Sequence, residues 1–282
     1  MAAIRRRAPG LALLAAVLVF LAGPASADLV NQTGQITVFW GRHKGEGSLR
    51  EACDTGMYTT VIMSFLDVYG HGRYRLDLSG HPLAGVGADI KHCQSVGVRV
   101  SLAVGGFRGG YSLPTRQSAL DLFDHLWSTY LRGDLAGRHR PFGDAWLDGV
   151  DLFLEHAAAG ERYDVLARRL AEHNIRAGAG KPLHLTATPR CHFPAAAAVR
   201  RALDTGVFEE WGRWTAAYPG SRIFLGLPAS DEAARGYWIF PKDLYYGVMP
   251  AVQRAANYGG VMIWDRFYDE QANYSAYVKG WA

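Results

Sequence analysis

The sequence is short of three things: excess charge, cysteine and long apolar runs. Its 30 basic residues face 26 acidic ones, and three of the basic residues, Arg5, Arg6 and Arg7, sit in an N-terminal leader. Taking those three from 30 leaves 27 against 26, a balance of +1. A nucleic-acid partner wants a clustered basic face, which this near-neutral balance does not offer; the run 132–140 reads as a solvated loop. Three cysteines are too few for a disulfide-dense scaffold, and an odd count leaves one over. Past the leader no stretch approaches the ~18 apolar residues of a membrane-crossing helix. The ten histidines form no ligand-spaced cluster, and no phosphate-binding glycine pattern follows a strand, so neither metal nor organic cofactor is implied.

What is present begins with a targeting signal. The three arginines precede the apolar run 11–22, and Pro24-Ala25-Ser26-Ala27 supplies small residues for cleavage before Asp28. Residues 1–27 are expected to be removed, leaving 28–282 as one exported domain of 255 residues, large enough for a substantial core. Two sequons fit export, Asn31-Gln32-Thr33 and Asn273-Tyr274-Ser275, which makes Asn31 and Asn273 candidate glycan carriers. Among the cysteines, Cys53 falls on an expected helix at 48–55 and Cys93 on one at 88–96. These helices would be neighbours, so the two are expected to pair, closing a loop of about 40 residues with a stabilisation of about 4 kcal/mol. Cys191 is left over.

Short β-branched or apolar runs alternate with amphipathic helical stretches, the pattern of an α/β fold with a parallel sheet. Strands are expected at 35–40, 60–66, 98–104, 149–154, 183–187, 222–227 and 260–264, with helices notably at 118–131, 161–174 and 241–258. With this length the natural solution is a TIM-type (β/α)8 barrel. Only seven strands can be counted, however. Between 195 and 219 the chain offers two helices in succession, 196–203 and 207–215, and either 208–211 forms a poor strand or the sixth strand is missing. An open barrel would expose two strand edges, which natural proteins avoid.

Catalytic groups of such barrels gather at the C-terminal ends of the strands. In Asp148-Gly149-Val150-Asp151-Leu152-Phe153-Leu154-Glu155, alternation puts Asp151, Phe153 and Glu155 on one face, pointing inward, with Glu155 where a general acid would stand. This stretch resembles the DxxDxDxE signature of glycoside hydrolase family 18. Phe39-Trp40-Gly41, Ser64-Phe65-Leu66, Gly105-Gly106, Leu185-Thr186-Ala187, the run 224–228 and the run 258–264 are similar to plant class III chitinases, and 141–156 is very similar to the chitinase-derived branch of cereal xylanase inhibitors.

Three departures from the hydrolase pattern follow. Family 18 enzymes use the substrate's own acetamide as nucleophile, oriented by an Asp at the position where this chain has Phe153. Their third-strand Ser is Ala103 here. Their sixth-strand block, which carries a Tyr for the substrate carbonyl, is missing; in relatives the cysteine matching Cys191 pairs inside that block, so one deletion accounts for both the missing strand and the odd cysteine. Losing one positioned catalytic group costs about 100- to 10,000-fold, which leaves Glu155 and Asp151 as vestigial. The resemblance therefore implies a secreted, monomeric, non-enzymatic inhibitor of microbial xylanases in plant defence, with neither nucleic acid nor membrane as partner. For family 11 xylanases it points to Arg176 in the loop 174–181, a guanidinium suited to paired carboxylates; for family 10 it points to Lys242. The alternatives are a residual chitinase using Glu155, and a lectin-like protein that holds chitin oligosaccharides in a groove lined by Trp40 and Trp264.

Overall fold

The computed structural model describes residues 17–20, 34–133, 139–158, 160–176, 182–189 and 206–282. In chain order the strands are β1 (Val17–Phe20), β2 (Ile36–Trp40), β3 (Thr60–Tyr69), β4 (Arg75–Leu76), β5 (Arg99–Gly105), β6 (Gly110–Tyr111), β7 (Gly149–Leu154), β8 (His184–Pro189), β9 (Ile223–Pro228) and β10 (Tyr258–Trp264). The helices that matter for the site are α1 (Leu49–Asp54), α2 (Val86–Ser95), α3 (Arg116–Thr129), α4 (Tyr163–Arg176) and α5 (Gly206–Ala217).

Each of the seven expected strands is found. β10, β2, β3, β5, β7 and β8 pair in parallel in that order, and β9 pairs in parallel with β10, so the sheet curls into a barrel. Strand alternation sorts the side chains cleanly. Val38, Met63, Leu102, Leu152, Leu225 and Ile263 face outward into the core beneath the helices. Phe39, Ile62, Ala103, Phe153, Phe224 and Met262 face inward and fill the barrel. A parallel sheet covered on both faces must be apolar in both directions, which is why its strands read as near-continuous hydrophobic runs.

The barrel lacks a parallel sixth strand among the described residues. Residues 206–217 form α5, so the reading of 208–211 as a poor strand is overturned. The physical reason is a helical spacing: Trp211 is buried and packs on Tyr258 at 6.2 Å, while Trp214 stacks on Tyr218 at 5.5 Å. Asn257 closes the helix end by donating to the carbonyls of Thr215 (3.1 Å) and Tyr218 (3.0 Å). The gap between β8 and β9 holds β1, antiparallel to both. These four residues lie inside the expected leader, for which no strand is expected from the sequence.

The helix expected at 241–258 is a second correction. It begins as Pro241–Asp243, widens to a π turn at Leu244–Val248 and ends as Met249–Val252. Pro250 has no N–H for the preceding turn and its ring crowds that turn's carbonyl, so a regular α-helix cannot run through it. Cys53 on α1 and Cys93 on α2 form the expected disulfide, with Cα atoms 5.4 Å apart. Cys191 lies outside the described residues. Among those residues no helix is long and apolar enough to cross a membrane, and no cluster of three metal-ligating side chains occurs.

Candidate functional site

The C-terminal mouth of the barrel is closed by aromatic rings. Phe153 is 1 % exposed and sits among Phe65 (4.8 Å between centroids), Phe107 (5.2 Å), Phe39 (5.6 Å) and Trp264 (6.1 Å). Several contacts are edge-on, the geometry aromatic quadrupoles favour. The backbone enforces the packing. Gly105 of β5 is paired with Phe153 across the sheet, and a Cβ at Gly105 would come within 2.0 Å of the Phe153 carbonyl oxygen.

Asp151 lies two residues deeper on the same face and is fully buried. Its Oδ1 accepts from the hydroxyls of Thr186 (2.6 Å) and Thr188 (3.1 Å), both on β8. On its other side the paired residue is Ala103, a methyl with nothing to donate, and Asp151 Oδ2 is buried without a hydrogen-bond partner. Burial dominates the two hydroxyls and pushes the carboxyl up to about 7.

Glu155 follows one residue after β7 ends and is half-buried at the rim. The backbone beside it is tied down by Tyr111, whose hydroxyl donates to the Gly106 carbonyl (2.9 Å) and accepts from the His156 N–H (3.0 Å). That hydroxyl is pushed up to about 12, by burial first and with the Glu155 charge contributing. At about 3.3 Å per residue the backbones of Asp151 and Glu155 stand about 13 Å apart. An intermediate carboxylate could pass a proton between them; the ring of Phe153 cannot.

The mouth has a second carboxylate group for which the sequence reading had no signal. Glu46 Oε1 accepts from the backbone N–H groups of Gly41 (2.9 Å) and His43 (2.8 Å), with His81 Nε2 at 3.2 Å. His43 Nε2 stands 3.5 Å from Asp265 Oδ2. Burial, then the Glu46 charge, pushes Asp265 up to about 7. These residues come from three separate loops, so only the folded chain brings them together. A cleft of about 350 Å³ opens beside β4, lined by Arg75, Asp77, Gly80, His81 and Leu83 among others, and it shares no residue with the Phe153 cluster.

The remaining expected site residues scatter. Trp40 is a correction: it points outward, is buried, and donates to the Gly47 carbonyl at 3.1 Å, so only Trp264 of the expected sugar-groove pair reaches the mouth. The phase of the alternation gives the inward place to Phe39 instead. Lys242 is exposed in the first turn of its helix, beside exposed Phe240. Arg176 is the last residue of α4; its side chain and the loop that follows lie outside the described residues, as does Asn31. Asn273 is exposed in a left-handed conformation (φ 52°) between two short helices.

Known proteins resemble the chain in sequence and in fold. The chain is similar to xylanase inhibitor protein 1 of Triticum aestivum, with 57% identity covering 99% of each chain. That match runs over 302 positions against 282 residues here, so at least 20 positions of the relative face a gap in this chain. Xylanase inhibitor protein 1 of Oryza sativa subsp. japonica is 48% identical over 96% of each chain. Among solved structures, the xylanase and alpha-amylase inhibitor protein from Scadoxus multiflorus superposes with a TM-score of 0.78 at 32% identity, over 89% of this chain and 100% of that one. The profile of the glycosyl hydrolases family 18 matches residues 35–206, and the chain belongs to that family.

Proposed function

We propose that this protein is an exported, non-enzymatic member of family 18 that inhibits microbial xylanases. The carrying observation is Phe153, an aromatic side chain sealed among four other rings where hydrolysis needs a carboxylate. The relatives that are named xylanase inhibitors and align over the whole chain support the same reading. A barrel whose interior is filled offers its outer surface for binding, and two cations are assigned there. Arg176, at the end of α4, enters the cleft of family 11 xylanases and bridges their paired carboxylates bidentately. Lys242, exposed at the start of its helix, meets the acidic cleft of family 10 enzymes. Residues 1–27 act as the export signal, 28–282 as the extracellular inhibitor domain, and Asn31 and Asn273 carry glycans.

The test is a titration of the purified protein into a family 11 and a family 10 xylanase while xylan hydrolysis is followed. Inhibition at micromolar or lower concentration is expected, with Arg176→Ala weakening the family 11 arm at least 100-fold and leaving the family 10 arm unchanged. Full activity of both enzymes at micromolar protein sinks the proposal. A second reading, residual chitin hydrolysis, has Glu155 at the rim and Asp151 below it in its favour. It requires product release from chitin oligosaccharides that Glu155→Gln abolishes.

A further inference from the structure

The C-terminal turn of α4 has little local reason to stay helical. His173-Asn174-Ile175-Arg176 holds two poor helix formers and a β-branched residue, and the last carbonyls of a helix lack intrahelical partners. Such ends open at almost no free-energy cost unless packing holds them. Here packing does. His173 sits against two rings of α3, 4.7 Å from the centroid of Phe123 and 4.9 Å from that of Trp127. Those two rings stack on each other at 5.9 Å with 17° between their planes. Each is fixed in turn. Phe123 is buried in the core. The Arg169 guanidinium, one turn before His173, lies over it at 5.3 Å and pairs with Glu172 at 3.5 Å. Trp127 is backed by Gly133, which donates to the Trp127 carbonyl at 2.9 Å; a Cβ at Gly133 would come within 2.6 Å of the indole Cδ1. The indole is thus wedged between the chain at Gly133 and the ring of His173.

We propose that His173 is a positioning residue for xylanase binding: by docking the last turn of α4 on Phe123 and Trp127, it fixes where Arg176, three residues on, leaves the helix. The inference rests on the reading of Arg176 as the cation that enters a family 11 cleft. A guanidinium carried on a fixed helix end gives up less freedom on binding than one on a frayed end. The box of rings therefore acts on affinity without touching the enzyme. Its contacts with His173 are contacts of ring against ring, so a phenyl ring at that position serves as well as an imidazole.

Two measurements on the whole protein test it, with His173→Ala, which removes the ring, and His173→Phe, which keeps one. Hydrogen exchange reads the docking itself. The amides of 173–176 are expected to lose about 10-fold in protection in His173→Ala and to keep it in His173→Phe. Titration into a family 11 xylanase reads the consequence. Inhibition is expected to weaken about 10-fold in His173→Ala and to be restored in His173→Phe, with the family 10 arm unchanged in both. Once Arg176→Ala is in place, adding His173→Ala should cost nothing further, because the two act as one unit. Unchanged protection in His173→Ala overturns the proposal. So does lost protection with undiminished family 11 inhibition, or a His173→Ala loss that persists in full without Arg176. Family 11 inhibition that survives Arg176→Ala overturns the reading of Arg176, and this inference with it, whatever the exchange shows.

Discussion

Phe153 touches four aromatic rings and has nowhere else to go, because β5 passes so close that only glycine fits at position 105. Truncating it removes most of those contacts and leaves a cavity. Phe153→Ala is therefore expected to cost about 3–5 kcal/mol in urea unfolding and to create no chitin hydrolysis, since a cavity supplies no carboxylate. Asp151 below it makes a prediction of opposite character to most carboxylates. The folded protein holds its proton up to about 7, whereas an unfolded Asp loses it near ~3.9. Its stabilising share is thus complete below that lower value and is lost as pH rises through the folded one. In thermal unfolding, Asp151→Asn should flatten the fall in stability between pH 4 and pH 7. Ala103→Ser places a hydroxyl beside the unpartnered oxygen and should lower the carboxyl's pKa, which carbon-13 NMR of that side chain would read. At this scale Asp151, Phe153 and Glu155 were legible because strand alternation needs only sequence. Phe65 and Phe107 were not, since they meet Phe153 across separate strands and loops, and Trp40 was misplaced because the phase of β2 is set by the curl of the sheet.

Elements were more legible than their breaks. Seven parallel strands follow from β-branched runs at βα spacing, and β7 has the bounds expected of it. The failure at 241–258 has a cause visible in hindsight, Pro250, whose effect on the turn before it outweighed the apolar periodicity. The residues of α5 suit either strand or helix by sequence, and the packing of Trp211 on Tyr258 goes with the helix. The Cys53–Cys93 bridge ties α1 to α2 across 40 residues, so replacing both with Ser is expected to lower stability by about 4 kcal/mol. A loss near zero on denaturation would mean that the helix pair is held by its packing alone. In β5, Gly105→Ala forces a Cβ against the Phe153 carbonyl from a left-handed backbone (φ +124°), and about 2 kcal/mol or more should be lost.

On the scale of the whole molecule, the gap between β8 and β9 and the ring of Phe153 shape the interior together. Among the described residues the wall has no parallel sixth strand, and β1 pairs with β8 and β9 in its place. Phe153 plugs the mouth with a ring. The outward core beneath the helices and the Cys53–Cys93 bridge are in place, while the interior is filled by side chains. A missing strand could be counted from sequence, because alternation of strands and helices is a global rule; what fills the gap could not, because antiparallel insertion of residues 17–20 obeys no periodicity.

Turnover of a chitin oligosaccharide by the purified protein, followed by chromatography of the products and compared with Glu155→Gln, bears most directly on the claim that Phe153 has replaced chemistry with packing. No product above the Glu155→Gln background is expected. Cleavage at ordinary enzymatic rates that vanishes in Glu155→Gln would contradict it.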